Sequence, residues 1–247
     1  MKDISVQQSV EIRINDLSEL SEKRGRPVFT SFLNEQEQFF AQKLLERRGG
    51  VSYRFFGGSD FCVRKMLLVS AYGDEEEFPI YPLSFTFRKS DTPGHRDFLG
   101  SFMGLGLKRE MIGDIFVGEG FAAVFCTKTA RDLIVDCVTC VGRTGVTVTD
   151  GLIKPLPEPQ FEDIAVIAAS MRADCIVGAV TGLSREKSSD FIKAGYLMIN
   201  YSECSNISKT VSEGDILTLR GYGKYAVCEG AAQTKKGRLR IPLKKYS

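Results

Sequence analysis

Three prolines within five residues, in the stretch Lys154-Pro155-Leu156-Pro157-Glu158-Pro159, set the strongest limit on how this chain of 247 residues can fold. Proline lacks the backbone N–H that a helix interior or a central strand requires, and it drives the preceding residue toward extended conformations. The stretch therefore predicts an extended, semi-rigid connector between separate folding bodies. A second seam is expected at Gly73-Asp74-Glu75-Glu76-Glu77-Phe78-Pro79, where an acidic run and a proline interrupt the apolar pattern. The expected divisions are 1–76, 77–154 and 160–247.

The chain is 43% hydrophobic and 26% charged, as expected for a soluble globular protein. No run approaches the roughly 18 apolar residues that cross a bilayer, and Met1-Lys2-Asp3-Ile4-Ser5 lacks the apolar core of a signal peptide. A cytoplasmic location is the expectation. The seven cysteines are odd in number and scattered, which fits reduced thiols used as small apolar side chains. The net charge of +2 is unevenly spread: 13 Lys and Arg face 9 Asp and Glu after residue 159, leaving 20 against 22 before it. A local positive excess of this kind attracts a polyanion.

Before the first seam, Phe32, Leu33, Phe39, Phe40, Leu44 and Leu45 recur at helical spacing and predict a helix over 31–48 with a Gly49-Gly50 stop. Strands are expected over 51–56 and 65–71, around a Gly57-Gly58 turn and a short helical piece. Between the seams the pattern predicts strand 81–88, helix 95–103, strands 114–117 and 121–126, helix 129–140 and strand 145–149. That order is βαββαβ, the ferredoxin-like arrangement that RNA recognition motifs share with many unrelated proteins. The fold class expected is α+β: a small N-terminal α/β layer, a ferredoxin-like centre and a C-terminal module of two helices and strands.

In that last module, Ser184 is placed to cap a helix of about three turns that stops at Gly195. At 100° per residue Ser188, Phe191 and Ile192 share a packing side, while Arg185, Ser189 and Lys193 lie within about 80° of one another beside it. Arg220 and Lys224 flank Gly221 and Gly223, where a bare backbone permits close approach to a phosphate. The ordered set Arg172 and Asp174, Ser184 and Arg185, Gly195 and Asn200, Gly214 and Asp215 resembles the S-four RNA-binding domain, over about 172–227. Ala173 stands where that family usually has leucine, and Ser188 where a small apolar residue is common. The resemblance implies that Arg172, Ser184, Arg185, Lys187, Lys193, Asn200, Arg220 and Lys224 belong to an RNA-facing surface. Arg172 has a second reading, as a structural ion pair with Asp174 or Glu186.

The central string from His95 through Glu110, with Ile112-Gly113-Asp114-Ile115 after it, is similar to the signature of the YlmH-like bacterial proteins, as are Phe56-Gly57-Gly58 and Lys235-Lys236 near the end. That resemblance implies a central domain like an RNA recognition motif joined to a C-terminal S-four domain. It further implies an RNA-binding protein of the translation apparatus, acting on the large ribosomal subunit and tRNA in the rescue of stalled subunits. Lys108 and Arg109 are candidates for a second basic contact with rRNA or tRNA.

Catalysis is not expected. The one histidine, His95, falls at a helix start, and the glycines after it form neither a P-loop nor a dinucleotide fingerprint. Cys137-Val138-Thr139-Cys140 is a single CxxC without a second pair, so no zinc site is expected and the cysteines read as core. No cofactor, no membrane and no DNA partner is anticipated. The alternatives are an RNA-modifying enzyme that docks through its C-terminal module, and a protein-interaction adaptor linked to cell division.

Overall fold

The computed structural model describes residues 5–71, 73, 76–156 and 161–246. Parts of both expected seams, Asp74, Glu75, Pro157, Glu158 and Pro159, lie outside the described residues, as does the stretch Met1 to Ile4. The chain forms two compact units, Met1–Glu158 and Pro159–Ser247. The fold is mixed α and β throughout, and no helix among the described residues is long and apolar enough to cross a membrane.

The first unit opens with α1 (Val6–Arg24), β1 (Val28–Phe29), α2 (Glu35–Arg48), β2 (Ser52–Phe56) and β3 (Met66–Ser70). Its sheet runs β1-β3-β2, antiparallel, and β3 is buried along its whole length. Helix α2 starts at the Asn34 cap, whose Oδ1 accepts the Glu37 N–H while Glu37 accepts the Asn34 N–H. The helix predicted from residue 31 is thus shorter. Leu33 pairs in extended conformation with Lys65, and Phe32 donates its N–H to the Glu110 carbonyl. Their apolar spacing serves burial rather than a helix turn. No helix forms between β2 and β3; residues 57–65 are a turning loop.

Helix α1 has no counterpart in the sequence expectations. Its buried stripe is Val10, Ile14, Ser18 and Ser21, so half of it is polar. Ser18 donates to the Ile14 carbonyl, and Ser21 donates to the Arg26 carbonyl and accepts the Ala71 N–H, which makes burial of both hydroxyls tolerable.

There follow β4 (Tyr81–Thr86), α3 (His95–Gly104), a 3-10 turn at Arg109–Met111, β5 (Ile112–Gly118), β6 (Phe121–Cys126), α4 (Lys128–Cys137), the small hairpin β7 (Cys140–Val141) and β8 (Thr144–Gly145), and β9 (Thr147–Asp150). The sheet order is β5-β6-β4-β9, the split arrangement of a βαββαβ chain. Phe85, Phe98, Phe102 and Ile134 fill the core between sheet and helices. Thr127 caps α4 by accepting the Ala130 N–H. Cys137 and Cys140 are both exposed, contrary to the core reading. Helix α4 buries Ala130 and Ile134, and Val138 takes the next inward position as the chain turns extended.

The division drawn after residue 76 separates two sheets that share one buried cluster, Phe32, Cys62, Met66 and Phe125. The approach is close at Gly58, where φ is +102° and a Cβ would lie 2.3 Å from Phe125 Cδ1.

The second unit contains β10 (Phe161–Ala168), α5 (Ala173–Thr181), α6 (Arg185–Lys193), β11 (Leu197–Ile199), β12 (Ser202–Glu203), β13 (Ile216–Leu219), β14 (Gly223–Val227), β15 (Ala232–Gln233) and β16 (Leu239–Tyr246). Its sheet runs β10-β16-β14-β13-β11-β12, with β15 attached to β16. Ile176, Val177 and Ile192 from the helices pack on Leu197, Leu217, Tyr225 and Leu243 from the strands, so both helices cover one face.

Replacing Gly58 with alanine should lower the unfolding free energy of the first unit by about 3 kcal/mol, since positive φ and overpacking against Phe125 both oppose it. Gly100→Ala, in an exposed helix position with nothing within 4 Å, should raise it by about 0.5 to 1 kcal/mol. Urea denaturation of the three proteins checks the contrast.

Candidate nucleic-acid interface

The C-terminal cations divide by what already holds them. Ser184 caps α6, its Oγ accepting the Lys187 N–H at 3.3 Å, and Ser188 Oγ donates to the Ser184 carbonyl. The helix buries Ser188 and Ile192, with Phe191 beside them, as its spacing predicts. Arg185, Lys187 and Lys193 are exposed, and none makes an ion pair among the described residues. Arg185 and Lys193 share one flank of the helix. Lys187, about 200° around the axis from Arg185 at 100° per residue, emerges on the other flank beyond the packing stripe.

Arg172 is not a free contact residue. Its Nε and Nη2 donate to the two carboxylate oxygens of Asp174 at 3.0 and 2.8 Å, the structural pairing that was its second reading. The Asp174 carboxylate is buried and also accepts the Cys175 N–H, which fixes the start of α5. Asn200 is likewise committed. Its Nδ2 donates to Asp215 at 2.7 Å and its Oδ1 accepts the Ile216 N–H at 2.9 Å. Asn200 and Tyr201 both have positive φ, at 49° and 62°, forming a tight turn that asparagine tolerates better than most residues. The Asn200 side chain brackets that turn instead of offering its amide outward.

At the other flank, Arg220 is exposed with its guanidinium 5.0 Å from the Tyr196 ring centroid. Tyr196 and Tyr222 both meet Phe191 edge-on, at 5.4 and 5.9 Å, and remain 40% exposed, so an aromatic and cationic patch adjoins α6. Tyr225 is buried and donates its hydroxyl to the Tyr222 carbonyl, so it supports this patch from beneath. Lys224 is half-buried between the Tyr201 and Tyr246 rings, at 5.2 and 4.5 Å.

Arg238, in the turn between β15 and β16, was absent from the sequence expectations. It lines a cleft of about 390 Å³ together with Arg185. It too is exposed without an ion pair among the described residues, next to Lys235 and Lys236. The basic run 235–240 was visible in the sequence, but its meeting with α6 depends on tertiary structure.

In the first unit the two candidates separate. Lys108 is exposed, whereas Arg109 is half-buried and donates from Nη1 to the carbonyls of Ile112 and Gly113. Burial and the neighbouring Arg64 charge lower the Arg109 guanidinium to about 10, against the opposing pull of Asp114. Arg64 bonds the carbonyls of Ile112 and Phe32, and its N–H reaches Asp114 Oδ2 at 2.8 Å. Arg109 therefore fastens its own 3-10 turn to the start of β5, and its guanidinium is committed there. His95 begins α3, and burial followed by the Arg109 charge lowers its pKa.

An RNA recognition motif stacks bases on aromatic residues of its open sheet face. Here that face is built over. Phe125 lies in the cluster with Phe32 and Met66 and meets Phe116 edge-on, and Lys154 sits 5.4 Å above the Phe121 ring. Ser84 Oγ donates to the Gly151 carbonyl and accepts the Ile153 N–H, tying the outgoing chain across the same face. Among the described residues no group of three or more His, Cys, Asp or Glu could hold a metal ion.

Residues 75–154 match the family described as "Putative RNA-binding domain in YlmH". The match covers about a third of the chain, and the His95 to Ile115 string that carried the resemblance falls inside it. The chain is 28% identical over 232 residues to "Ribosome-associated protein quality control protein P2" of Bacillus subtilis (strain 168), covering 91% of this chain and 89% of the relative. It also shares the fold of "Cell division protein ylmH from Streptococcus pneumoniae", with a TM-score of 0.52 and 18% identity over 62% of this chain and 95% of the other.

The Asp174 carboxyl is held below its usual range chiefly by the Arg172 hydrogen bond, with burial opposing. A depressed folded-state pKa stabilises fully above the unfolded value of about 3.9 and is lost as pH falls through the folded value. Asp174→Asn should therefore cost about 2 kcal/mol at pH 7, and the gap from wild type should narrow toward pH 3 in urea denaturation.

Proposed function

We propose that this is a non-catalytic RNA-binding protein of the bacterial translation apparatus, located in the cytoplasm, whose second unit is an S-four-like module for folded RNA. The chemistry is electrostatic. Lys and Arg side chains displace condensed counterions from backbone phosphates, and the shape of the module selects structured rRNA or tRNA. Arg185, Lys187, Lys193 and Arg220 are the proposed contacts, with Ser184 setting the start of α6, Lys224 at the edge, and Lys108 as a separate contact on the first unit. Arg172, Asn200 and Arg109 hold the frame.

The observation that carries this reading is the sorting of charge. Arg172 and Lys245 are paired internally, while the α6 cations are exposed and carry no ion pair among the described residues. The name of the Bacillus subtilis relative associates that protein with the ribosome and with quality control. The large subunit carrying a stalled nascent chain is the target proposed for this one. Two modest sites on one chain gain affinity through effective concentration. The division into an N-terminal layer, a central domain and the C-terminal module remains the proposed functional one.

Co-sedimentation with ribosomal subunits across a salt series tests the proposal. Arg185→Glu and Lys193→Glu should each abolish association at physiological salt, and neutral substitutions should flatten the salt slope by about 0.7 to 0.9 per contact removed. Unchanged association of both charge reversals, with circular dichroism intact, would overturn it.

A further inference from the structure

The cleft that joins α5, α6 and the β15–β16 turn has a composition that the phosphate-contact reading leaves unused. Its volume is about 390 Å³, within the range of pockets that hold small molecules. Ile167, Ala179 and Leu183 give it apolar walls, and Ile167 is 55% exposed, an unusual position for a large aliphatic side chain. Its acidic and hydroxyl groups are already spent: Asp174 on Arg172 and the Cys175 N–H, Ser188 on the Ser184 carbonyl. Gly178 has no side chain to fill it, and a Cβ there would stand 3.1 Å from Ser188 Oγ. The uncommitted polar groups are two guanidiniums, Arg185 and Arg238.

An apolar slot flanked by two free arginines asks for a ligand that is flat and weakly polar at one end and anionic at the other. Within an RNA, the group with that chemistry is a nucleotide swung out of its stack: a base to lie against the aliphatic wall, and a phosphate for the planar donors of arginine. We propose that this cleft receives one unstacked nucleotide of the bound RNA, its base against Ile167, Ala179 and Leu183 and its phosphate between Arg185 and Arg238. The inference rests on the RNA-binding reading above. It adds to it a site for a base, where the surface of α6 reads only backbone charge. It also predicts that the module prefers RNA with an unpaired residue beside its helix to an uninterrupted duplex.

Cys175 lines the cleft and is half-buried, which supplies a reporter. Wild-type full-length protein is alkylated with N-ethylmaleimide, and each cysteine is followed by peptide mass spectrometry, with Cys137 and Cys140 in the first unit as internal controls. The probes are single-stranded hexaadenylate and an abasic ribose-phosphate hexamer of equal charge. Hexaadenylate should slow Cys175 modification several-fold and leave Cys137 and Cys140 unchanged, and the abasic hexamer should protect much less. Arg238→Gln, in an exposed turn outside the core, should weaken protection by about tenfold with the circular dichroism spectrum unchanged. Equal protection by both hexamers would reduce the cleft to a phosphate site and overturn the proposal. No protection alongside intact co-sedimentation would also overturn it and leave RNA binding standing. Loss of both in the wild type would instead reject the RNA-binding reading on which it rests.

Discussion

The second unit depends on a single ladder. Strands β10 and β16 pair antiparallel over eight positions, from Phe161 opposite Tyr246 to Ala168 opposite Leu239. The two ends of the module are thereby joined, and the long-range entropy of closing it is met by one continuous run of backbone hydrogen bonds. Everything between them then has a fixed platform. Because Ala168, Ile241 and Leu243 face the helices, α5 and α6 have one side of the sheet on which to settle, and the α6 cations are left pointing away from it.

On that platform, the module sorts its polar groups into those that hold the backbone and those that face out. Arg172 with Asp174 braces the start of α5, and Asn200 with Asp215 braces the β11–β12 turn. A buried carboxylate or a strained turn is costly unless matched, and each of these is matched at short distance. The exposed arginines and lysines of α6 and the β15–β16 turn carry no such duty, so their substitution tests binding with little disturbance to folding. That separation is what makes the proposed interface accessible to experiment.

The helices with strong signatures were legible in the sequence. Ser184 before Arg185 and Gly195 after Lys193 each mark a boundary through a local hydrogen bond or a left-handed backbone, and local chemistry is what a sequence displays, whereas the Asn34 and Glu37 cap went unread and α2 was drawn from residue 31. Helix α1 was missed because Ser18 and Ser21 occupy core positions, which conceals the apolar stripe. Phe32 and Leu33 misled in the opposite direction, being apolar at helical spacing yet buried as extended chain. Arg185 and Lys193 could be placed on one flank from helical geometry alone. Asn200 and Arg109 could not be assigned to structural duty, because their partners are set by side-chain geometry that spacing does not encode, and Arg172 stood open between RNA contact and the Asp174 pairing it makes. Arg238, just before β16, meets Arg185 only in the tertiary fold.

The covered sheet of the first unit bears on how such a protein can be dissected. Phe116, Phe121 and Phe125 would stand as an oily surface on any fragment that began at the central strands, because Phe32, Met66 and the outgoing segment normally lie over them. An isolated central fragment would therefore expose contiguous aromatic area of the kind that drives self-association. Aggregation or promiscuous capture by such a fragment would reflect the missing cover rather than the recognition properties of the intact chain. The natural cut lies between the two compact units, after Glu158.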